Sequence, residues 1–506
     1  MPQRANDESL RQFKISTDPS VNIKWTSVDS FIVIALLFAA SITRFWHLYY
    51  PRDIIFDEIF TISQSFCVLK GLPYRDTHPA LEPLLVALSM SIFGVNSSWG
   101  WRLPNAIIGT ALVFVTYLLG RRLFGSRVAA TMAALFVVLD GLFLVDSRLA
   151  LKEIPYLTFT AWSYLMLFRF AQSTDIRSRR IALAWTGLAL GLGLGCKLLI
   201  PTVALLLVLA FAILFVLQGP PMSAGATAEA PSAYRFTSLG QLVGVIALVG
   251  GLSALIYQAV FLPNYWFGGW RGVTDQLAYY AVEFRFQNSL IKKPHHWSSP
   301  WWSWPLMLRA MLYWNETAFV VGTTSIRTGS IRALGNPVLW WGVVAAVPLM
   351  SVQAMRRRDL ARWFVALGYI CYLAMWIPIP RPKFLYYYMP ALYFGFLALA
   401  AELAECWHGR AGVWEEAVLL MSLMPAIILG LGARPGAGII LALATSYVLL
   451  WRWNRRSAGI FVCFSFLLGV LALFVYFFPI WTGLPLSREG LQARMWLHGS
   501  GLASWL

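Results

Sequence analysis

The chain has 506 residues, of which 58% are hydrophobic and 12% are charged, and its mean hydropathy is +0.64. This profile is typical of a polytopic membrane protein and excludes a soluble domain built around one large core. The net charge of +17 indicates membrane topology rather than nucleic-acid binding, because the basic residues fall in short loops between apolar runs. The five cysteines lack the spacing of a metal site, and we interpret them as core-filling residues.

Apolar runs long enough to span a bilayer begin near residue 30 and recur along the chain. With the N-terminus inside, the arginine-rich loops between them all fall on the cytoplasmic side, which is the positive-inside pattern. We therefore predict an all-α polytopic membrane protein with about 11–13 transmembrane helices. The runs lie at 30–49, 103–123, 127–146, 151–171, 180–197, 199–218, 238–262, 337–355, 360–378, 384–405, 414–432, 436–452 and 458–480.

The same pattern predicts a division of the chain into five parts. They are a cytoplasmic tail 1–28, an N-terminal transmembrane module 29–262 with a first outer loop 50–102, a Trp-rich outer loop 263–336, a C-terminal transmembrane module 337–481 and an outer tail 482–506. Two apolar pieces of the first outer loop, 59–70 and 81–94, are too short to span and are expected to lie along the membrane surface as helices. The small-residue segment 219–237 is expected to be an inner linker.

An acidic pair, Asp57 and Glu58, follows the first apolar run directly. A carboxylate beside the bilayer is costly unless it faces water, a cation or a substrate, so the pair is a functional candidate. The alternative is two solvated loop carboxylates. His78, in the same loop, could orient a carboxylate or a substrate hydroxyl, although a lone loop histidine is more often structural.

Three cations are expected at the same outer face as the acidic pair. Arg148 stands where one span ends and the next begins, and a guanidinium there could bind a phosphate or pair internally with Asp146 or Glu153. Arg381 and Lys383 precede three tyrosines between two spans, which suits a lipid phosphate, or else ordinary snorkelling.

The absence of two nucleotide-binding motifs excludes some classes of function. The chain has no G-x-x-x-x-G-K-[ST] sequence, so ATP-driven transport is not expected, and no G-x-G-x-x-G sequence for a nucleotide-sugar donor. A transferase of this kind would take its donor from the membrane. The tryptophans of the second outer loop, Trp301 and Trp304 among them, suit the bilayer interface and could also stack on sugar faces.

Six segments of the chain, in order, resemble the protein O-mannosyltransferase family. They are FDE at 56–58, THPALEPLLVALS at 77–89, DSRLALKE at 146–153, HHWSSPWWSWPLMLRAMLYW at 295–314, RPKFLYYYMPAL at 381–392 and FPIWTGLPLSREGLQARMW at 478–496. The chain departs from the family pattern at Ala80, at the Glu82-Pro83 pair, at Lys152 and at Glu153. The second outer loop is too short for the β-trefoil module of the eukaryotic members, which suggests a bacterial type.

The resemblance implies a GT-C fold and inverting transfer of mannose from a polyprenyl-phosphate-mannose lipid to Ser or Thr hydroxyls of secreted or membrane proteins. It also implies a bacterial plasma membrane enzyme, in contact with membrane lipids, with its active site on the outer face. Asp57 would be the base, Glu58 would hold the acceptor backbone or a neighbouring cation, and Arg148, Arg381 and Lys383 would bind the donor phosphate. The resemblance also implies acceptor-binding, sugar-binding or supporting roles for His78, Glu153, Trp301, Trp304 and Tyr387.

No cofactor or metal is expected to be obligatory, because a lipid phosphomonoester can leave without one and the sequence has no His/Cys cluster. The possibility of a divalent cation at Asp57 and Glu58 stays open. Two other functions also stay open. One is a related lipid-phosphate-sugar glycosyltransferase that modifies a lipid or polysaccharide, like the aminoarabinose transferases. The other is a transporter or flippase, which the concentration of charge at one face disfavours.

Overall fold

The computed structural model describes residues 25–73, 78–173, 175–199, 201–208, 239–291, 293, 295–319, 326–497 and 504–505. The predicted inner linker 219–237 and nearly all of the predicted cytoplasmic tail lie outside these residues. Of the predicted span 199–218, a helical stretch at 201–208 is described.

The N-terminal part of the chain is a bundle of helices interrupted by the first outer loop. Its helices are α1 (Ser27–Phe45), α2 (Glu58–Lys70), α3 (Leu81–Phe93), α4 (Ser98–Phe124), α5 (Arg127–Leu139), α6 (Gly141–Ser147), α7 (Glu153–Gln172), α8 (Ile176–Cys196) and α9 (Leu239–Ala259). The short apolar pieces predicted in the first outer loop are indeed the helices α2 and α3. They pack on each other, and α3 also packs on α4, which brings the loop against the bundle.

The second outer loop begins with α10 (Leu262–Trp266) and α11 (Val273–Ser289), and it ends in strands. β1 (Met311–Phe319) and β2 (Ile326–Ala333) form an antiparallel hairpin, and β3 (Leu486–Ser487) joins the other edge of β2. The three-stranded sheet therefore has the order β1-β2-β3. This small sheet is the departure from the all-helical prediction, and the third strand comes from a distant part of the chain.

The C-terminal part is again helical. Its helices are α12 (Pro337–Arg357), α13 (Leu360–Ala374), α14 (Met389–Trp407), α15 (Val413–Met421), α16 (Met424–Leu431), α17 (Ala433–Trp453), α18 (Arg455–Thr482) and α19 (Arg488–Gln492). α14 is central: every residue from Met389 to Cys406 is buried, and the helix packs against α5, α12, α13 and α18.

Among the described residues, seven helical stretches are long and apolar enough to cross a membrane, or eight if α5 and α6, bent by 63° at Asp140, form one span. α7, α8, α9 and α13 occupy four more of the predicted spans. Asp140 explains the bend, because its side chain caps α6 by accepting from the Leu142 and Phe143 N–H groups. Its other oxygen accepts from Asn336 N and Trp340 Nε1, and this joins the two halves of the bundle.

Candidate active site

Residues from six separate parts of the chain surround a cavity of about 470 Å³. They come from the start of α2, the segment before α3, the start of α7, the end of α8, α11 and the segment before α14. The charged residues that line the cavity are Asp57, Lys152, Glu153, Lys197, Glu283 and Arg381. The other polar and aromatic residues include His78, Tyr279, Gln287, Tyr386 and Tyr387. Two predicted carboxylates, Asp57 and Glu153, and one predicted cation, Arg381, thus meet at one place.

Asp57 stands immediately before α2, at the N-cap position. The preceding residue, Phe56, has a φ of +48°, a left-handed conformation that is costly for a bulky residue. Its ring stacks on Tyr313 of β1, with centroids 3.9 Å apart and planes at 8°, and it meets the edge of Tyr386 at 5.9 Å. These aromatic contacts hold the sharp turn that directs the next residue, Asp57, to the cavity.

Glu58 lies beside Asp57 in sequence but points away from the cavity, into the protein. Its two oxygens accept from Arg102 Nε and Nη2, both at 2.8 Å, and neither side chain has any exposure. The same carboxylate accepts from Ala150 N at 3.1 Å and Ile55 N at 3.2 Å. Arg102 also donates to the carbonyl of Pro51 at 2.6 Å. Glu58 therefore fastens the loop that carries Asp57, and this arrangement gives no support to a contact between Glu58 and an acceptor or a metal ion.

The cations of the cavity are Lys152, Lys197 and Arg381. Lys197 Nζ lies 2.7 Å from Glu153 Oε1 and 5.0 Å from the centre of the Tyr387 ring, and it is 8% exposed. The Arg381 guanidinium lies 5.5 Å from the centre of the same ring. Tyr387 thus has a cation near it from each of two distant segments, and Glu153 partly neutralises one of them, Lys197. An anion that enters here finds positive charge already in place.

Arg148 and Lys383 do not line this cavity. The Arg148 guanidinium donates to four backbone carbonyls at the end of α1, those of Thr43, Arg44, Trp46 and His47, at 2.6–3.1 Å. Lys383 Nζ donates to the carbonyls of Trp376 and Ile379 at 3.1 and 2.6 Å, and partial burial lowers the pKa of this amine. Their expected role in phosphate binding therefore finds no support in the geometry, which gives both side chains structural contacts instead.

Neither of the two tryptophans named from the sequence lines the cavity. Trp304 is fully buried, donates from Nε1 to Ser299 Oγ at 3.0 Å and meets Tyr387 edge to face at 6.4 Å. Trp301 is half-buried against the core. Tyr387 itself stacks on Trp376 at 4.4 Å. Neither tryptophan offers an open face on which a sugar could stack within this cavity, whereas Tyr387 does line it.

His78 lines the cavity, and its carbonyl accepts from the Tyr279 hydroxyl of α11 at 3.2 Å. This bond ties the first outer loop to the second. α11 covers the cavity with Tyr279, Val282, Glu283, Phe286 and Gln287 along one side.

Sequence reasoning missed Lys197, the anchoring partner Arg102 and the whole of α11. A signal for Lys197 was present, because it is a lone cation at the predicted outer end of the apolar run 180–197. For Arg102 the signal was weaker, since an arginine near the start of a span is equally well explained by a side chain that extends to the membrane surface. Within the described part of the chain, no group of three or more His, Cys, Asp or Glu side chains is placed to hold a metal ion.

Comparison with known proteins decides the family. A model described as dolichyl-phosphate-mannose-protein mannosyltransferase matches residues 95–268. A second model, the C-terminal four-transmembrane region of protein O-mannosyltransferase, matches residues 275–500. The chain belongs to the protein O-mannosyltransferase family. The resemblance seen in the six sequence segments is thereby confirmed, and the family is one of glycosyltransferases.

Individual relatives agree with the family models. The polyprenol-phosphate-mannose–protein mannosyltransferase of Mycobacterium tuberculosis is 25% identical over 90% of this chain and 89% of its own length. The Mycolicibacterium smegmatis protein of the same name is 26% identical over 90% of both chains.

Solved structures show the same fold. A chain of the Saccharomyces cerevisiae protein O-mannosyltransferase Pmt1-Pmt2 complex, bound to the sugar donor, is similar with a TM-score of 0.71 at 14% identity, over 94% of this chain and 93% of that one. ArnT from Cupriavidus metallidurans, bound to undecaprenyl phosphate, is similar with a TM-score of 0.56 at 14% identity, over 90% and 78%. The predicted GT-C fold is confirmed.

Proposed function

We propose that this protein transfers mannose from a polyprenyl-phosphate-mannose lipid to Ser or Thr hydroxyls of polypeptides, with inversion at the anomeric carbon. One observation carries the proposal: Asp57 and three cations, Lys152, Lys197 and Arg381, line the same cavity. The similar mycobacterial proteins are named for this activity. A carboxylate base and a cationic anion site are the two parts that such a transfer needs.

In the transfer, the acceptor oxygen attacks the anomeric carbon and forms the new glycosidic bond. Asp57 takes the proton that the hydroxyl loses. The bond between the anomeric carbon and the phosphate oxygen breaks, and its electron pair leaves with the lipid phosphate. The departing phosphate gains negative charge, which Lys197 and Arg381 stabilise most directly, with Lys152 nearby.

Lys197 serves this role well because, among the residues that the structure describes, its ion-pair partner is a single carboxylate, Glu153. A donor phosphate can bind the Lys197 amine beside Glu153 or in place of Glu153. Two tyrosines, Tyr386 and Tyr387, wall this part of the cavity and keep the cations partly desolvated, which strengthens their attraction for a phosphate.

We place the cavity at the outer face of the plasma membrane. Asp57, Arg381 and α11 come from segments that the positive-inside pattern assigns to the outside, and Lys152 lies at the outer end of the predicted span 151–171. Conversely, the arginine-rich segment 356–362 lies at the opposite end of its helices, where Arg357 and Arg362 pair with Glu405 at 3.1 and 3.2 Å.

The test is a reconstituted transfer reaction. The purified protein in lipid nanodiscs receives polyprenyl-phosphate mannose labelled in the sugar, together with a Ser/Thr-rich peptide, and in parallel a lipid acceptor in place of the peptide. We expect label on the peptide hydroxyls with inverted anomeric configuration. Label on the lipid alone would replace the proposal with the aminoarabinose-transferase-like alternative. Movement of the donor across the bilayer of reconstituted vesicles, without transfer, would favour a flippase.

A further inference from the structure

A second cavity, of about 760 Å³, adjoins the first and shares Asp57 with it. Phe384 and Tyr386 border both cavities, whereas Lys152 and Lys197 line only the first. The second cavity is completed by the outer loop, through residues that include Trp297, Met311 and Leu312. Asp57 is thus reached from two sides: Lys152 and Lys197 line the first cavity, Lys293 and His295 line the second, and Arg381 borders both.

The chemistry requires two such sides. In an inverting transfer the attacking oxygen approaches the face of the sugar opposite the leaving group. If the donor phosphate sits among the cations of the first cavity, the acceptor must come from elsewhere and still reach Asp57. The second cavity meets both conditions.

The wall of the second cavity contains the beginning of an edge strand. β1 starts at Met311, has β2 on one side and is the terminal strand of the sheet. Within the ranges that the structure describes, the backbone of residues 311–319 has no hydrogen-bond partner other than β2. An edge strand presents a row of N–H and C=O groups that another extended chain can pair with.

We propose that the second cavity is the acceptor cleft and that the acceptor polypeptide lies in it as an extended strand added to the outer edge of β1. This inference rests on the proposed function and specifies how its acceptor is recognised. Backbone pairing supplies binding that is independent of side chains, while the strand places every second residue toward the cavity. A Ser or Thr at one of these positions brings its hydroxyl toward Asp57.

The apolar wall formed by Met311, Leu312 and Trp297 then favours small or apolar residues next to the acceptor Ser or Thr. Phe56 and Tyr313 add to the argument, since their stack connects β1 directly to the residue before Asp57. A strand docked on β1 is thereby held in a fixed position relative to the base.

The first experiment uses the wild-type protein and a set of acceptor peptides, each with one backbone amide N-methylated. Methylation removes one N–H donor and changes no side chain. Because a strand pairs through alternate residues, we expect the KM for the peptide to rise about 3–10-fold at alternate positions and to change little at the positions between them. Equal effects at all positions, or no effect at any, would overturn the proposal.

The second experiment narrows the cleft. Leu312→Trp adds bulk at the start of β1 and should raise the KM for the peptide about tenfold or more, with the affinity for the lipid donor retained. Leu306→Trp is the matched control, because Leu306 is exposed in the same loop and lines neither cavity. An unchanged KM in Leu312→Trp, in a protein that binds donor normally, would contradict the assignment of the cleft.

The two proposals fail in different ways. If the wild-type protein mannosylates peptides but shows no alternating effect of N-methylation, the strand mode is refuted and the function stands. If it binds polyprenyl-phosphate mannose and transfers the sugar to no peptide, the proposed function itself is refuted, and the acceptor cleft with it.

Discussion

Glu58 and Asp57 are neighbours with different surroundings, since Asp57 lines the cavity and Glu58 pairs with Arg102. Carboxylate-to-amide substitutions at the two positions should therefore have different effects. Glu58→Gln keeps the size of the side chain but leaves Arg102 without its counter-charge at a site where neither group is exposed. Loss of one partner from a buried pair costs about 3–5 kcal/mol of stability. We therefore expect Glu58→Gln to lower the thermal unfolding temperature in detergent clearly, and to lower transfer activity because the loop carrying Asp57 is loosened.

Asp57→Asn, the same chemical change one residue earlier, is the matched control and should leave the unfolding temperature close to that of the wild type. Substituting both partners, Glu58→Gln with Arg102→Met, should recover part of the lost stability, because it removes the uncompensated charge. The measurement is unfolding followed by intrinsic fluorescence, with transfer assayed on the same samples. A Glu58→Gln variant with wild-type stability and no transfer would refute this reasoning and give Glu58 a chemical role.

Four further outcomes are expected. Lys197→Met and Arg381→Gln should each weaken donor binding about 10–100-fold in a lipid-binding assay while the protein stays folded, since each removes one charged contact to the phosphate. Arg148→Ala should reduce thermal stability, because four carbonyls lose their donor, yet folded molecules should bind donor as the wild type does. Tyr313→Leu should lower kcat more than it raises the donor KM, since the stack that holds Phe56 is lost, and a pure KM effect would contradict this. Treatment with EDTA should leave the transfer rate unchanged, and restoration of a lost rate by Mg²⁺ or Mn²⁺ would show that a metal is required.

Much of the fold could be predicted because hydrophobic length and loop charge are local signals. The short apolar pieces 59–70 and 81–94 became α2 and α3 almost to the residue. The third strand of the sheet, Leu486–Ser487, escaped prediction because it has two residues and lies about 150 residues from β2. A strand pairing over that distance leaves no periodic trace in either segment.

Part of the site could be predicted because a charged side chain close to a membrane is costly unless it has a partner or a function. Asp57 and Arg381 were found on that ground, and both line the cavity. The same reasoning could not tell that Arg148 satisfies backbone carbonyls at the end of α1, or that Lys197 faces the cavity. Which partner a cation finds depends on how distant helices pack, and the sequence around each residue does not contain that information.

The central claim is that Asp57 is the base for mannose transfer to a polypeptide hydroxyl, and single-turnover transfer by Asp57→Asn tests it most directly. The measurement uses labelled polyprenyl-phosphate mannose, a Ser/Thr-rich peptide and the protein in nanodiscs, with donor affinity determined in parallel. We expect the transfer rate to fall by about 10²–10⁴-fold while donor affinity stays within about twofold of wild type. A transfer rate close to that of the wild type would contradict the account.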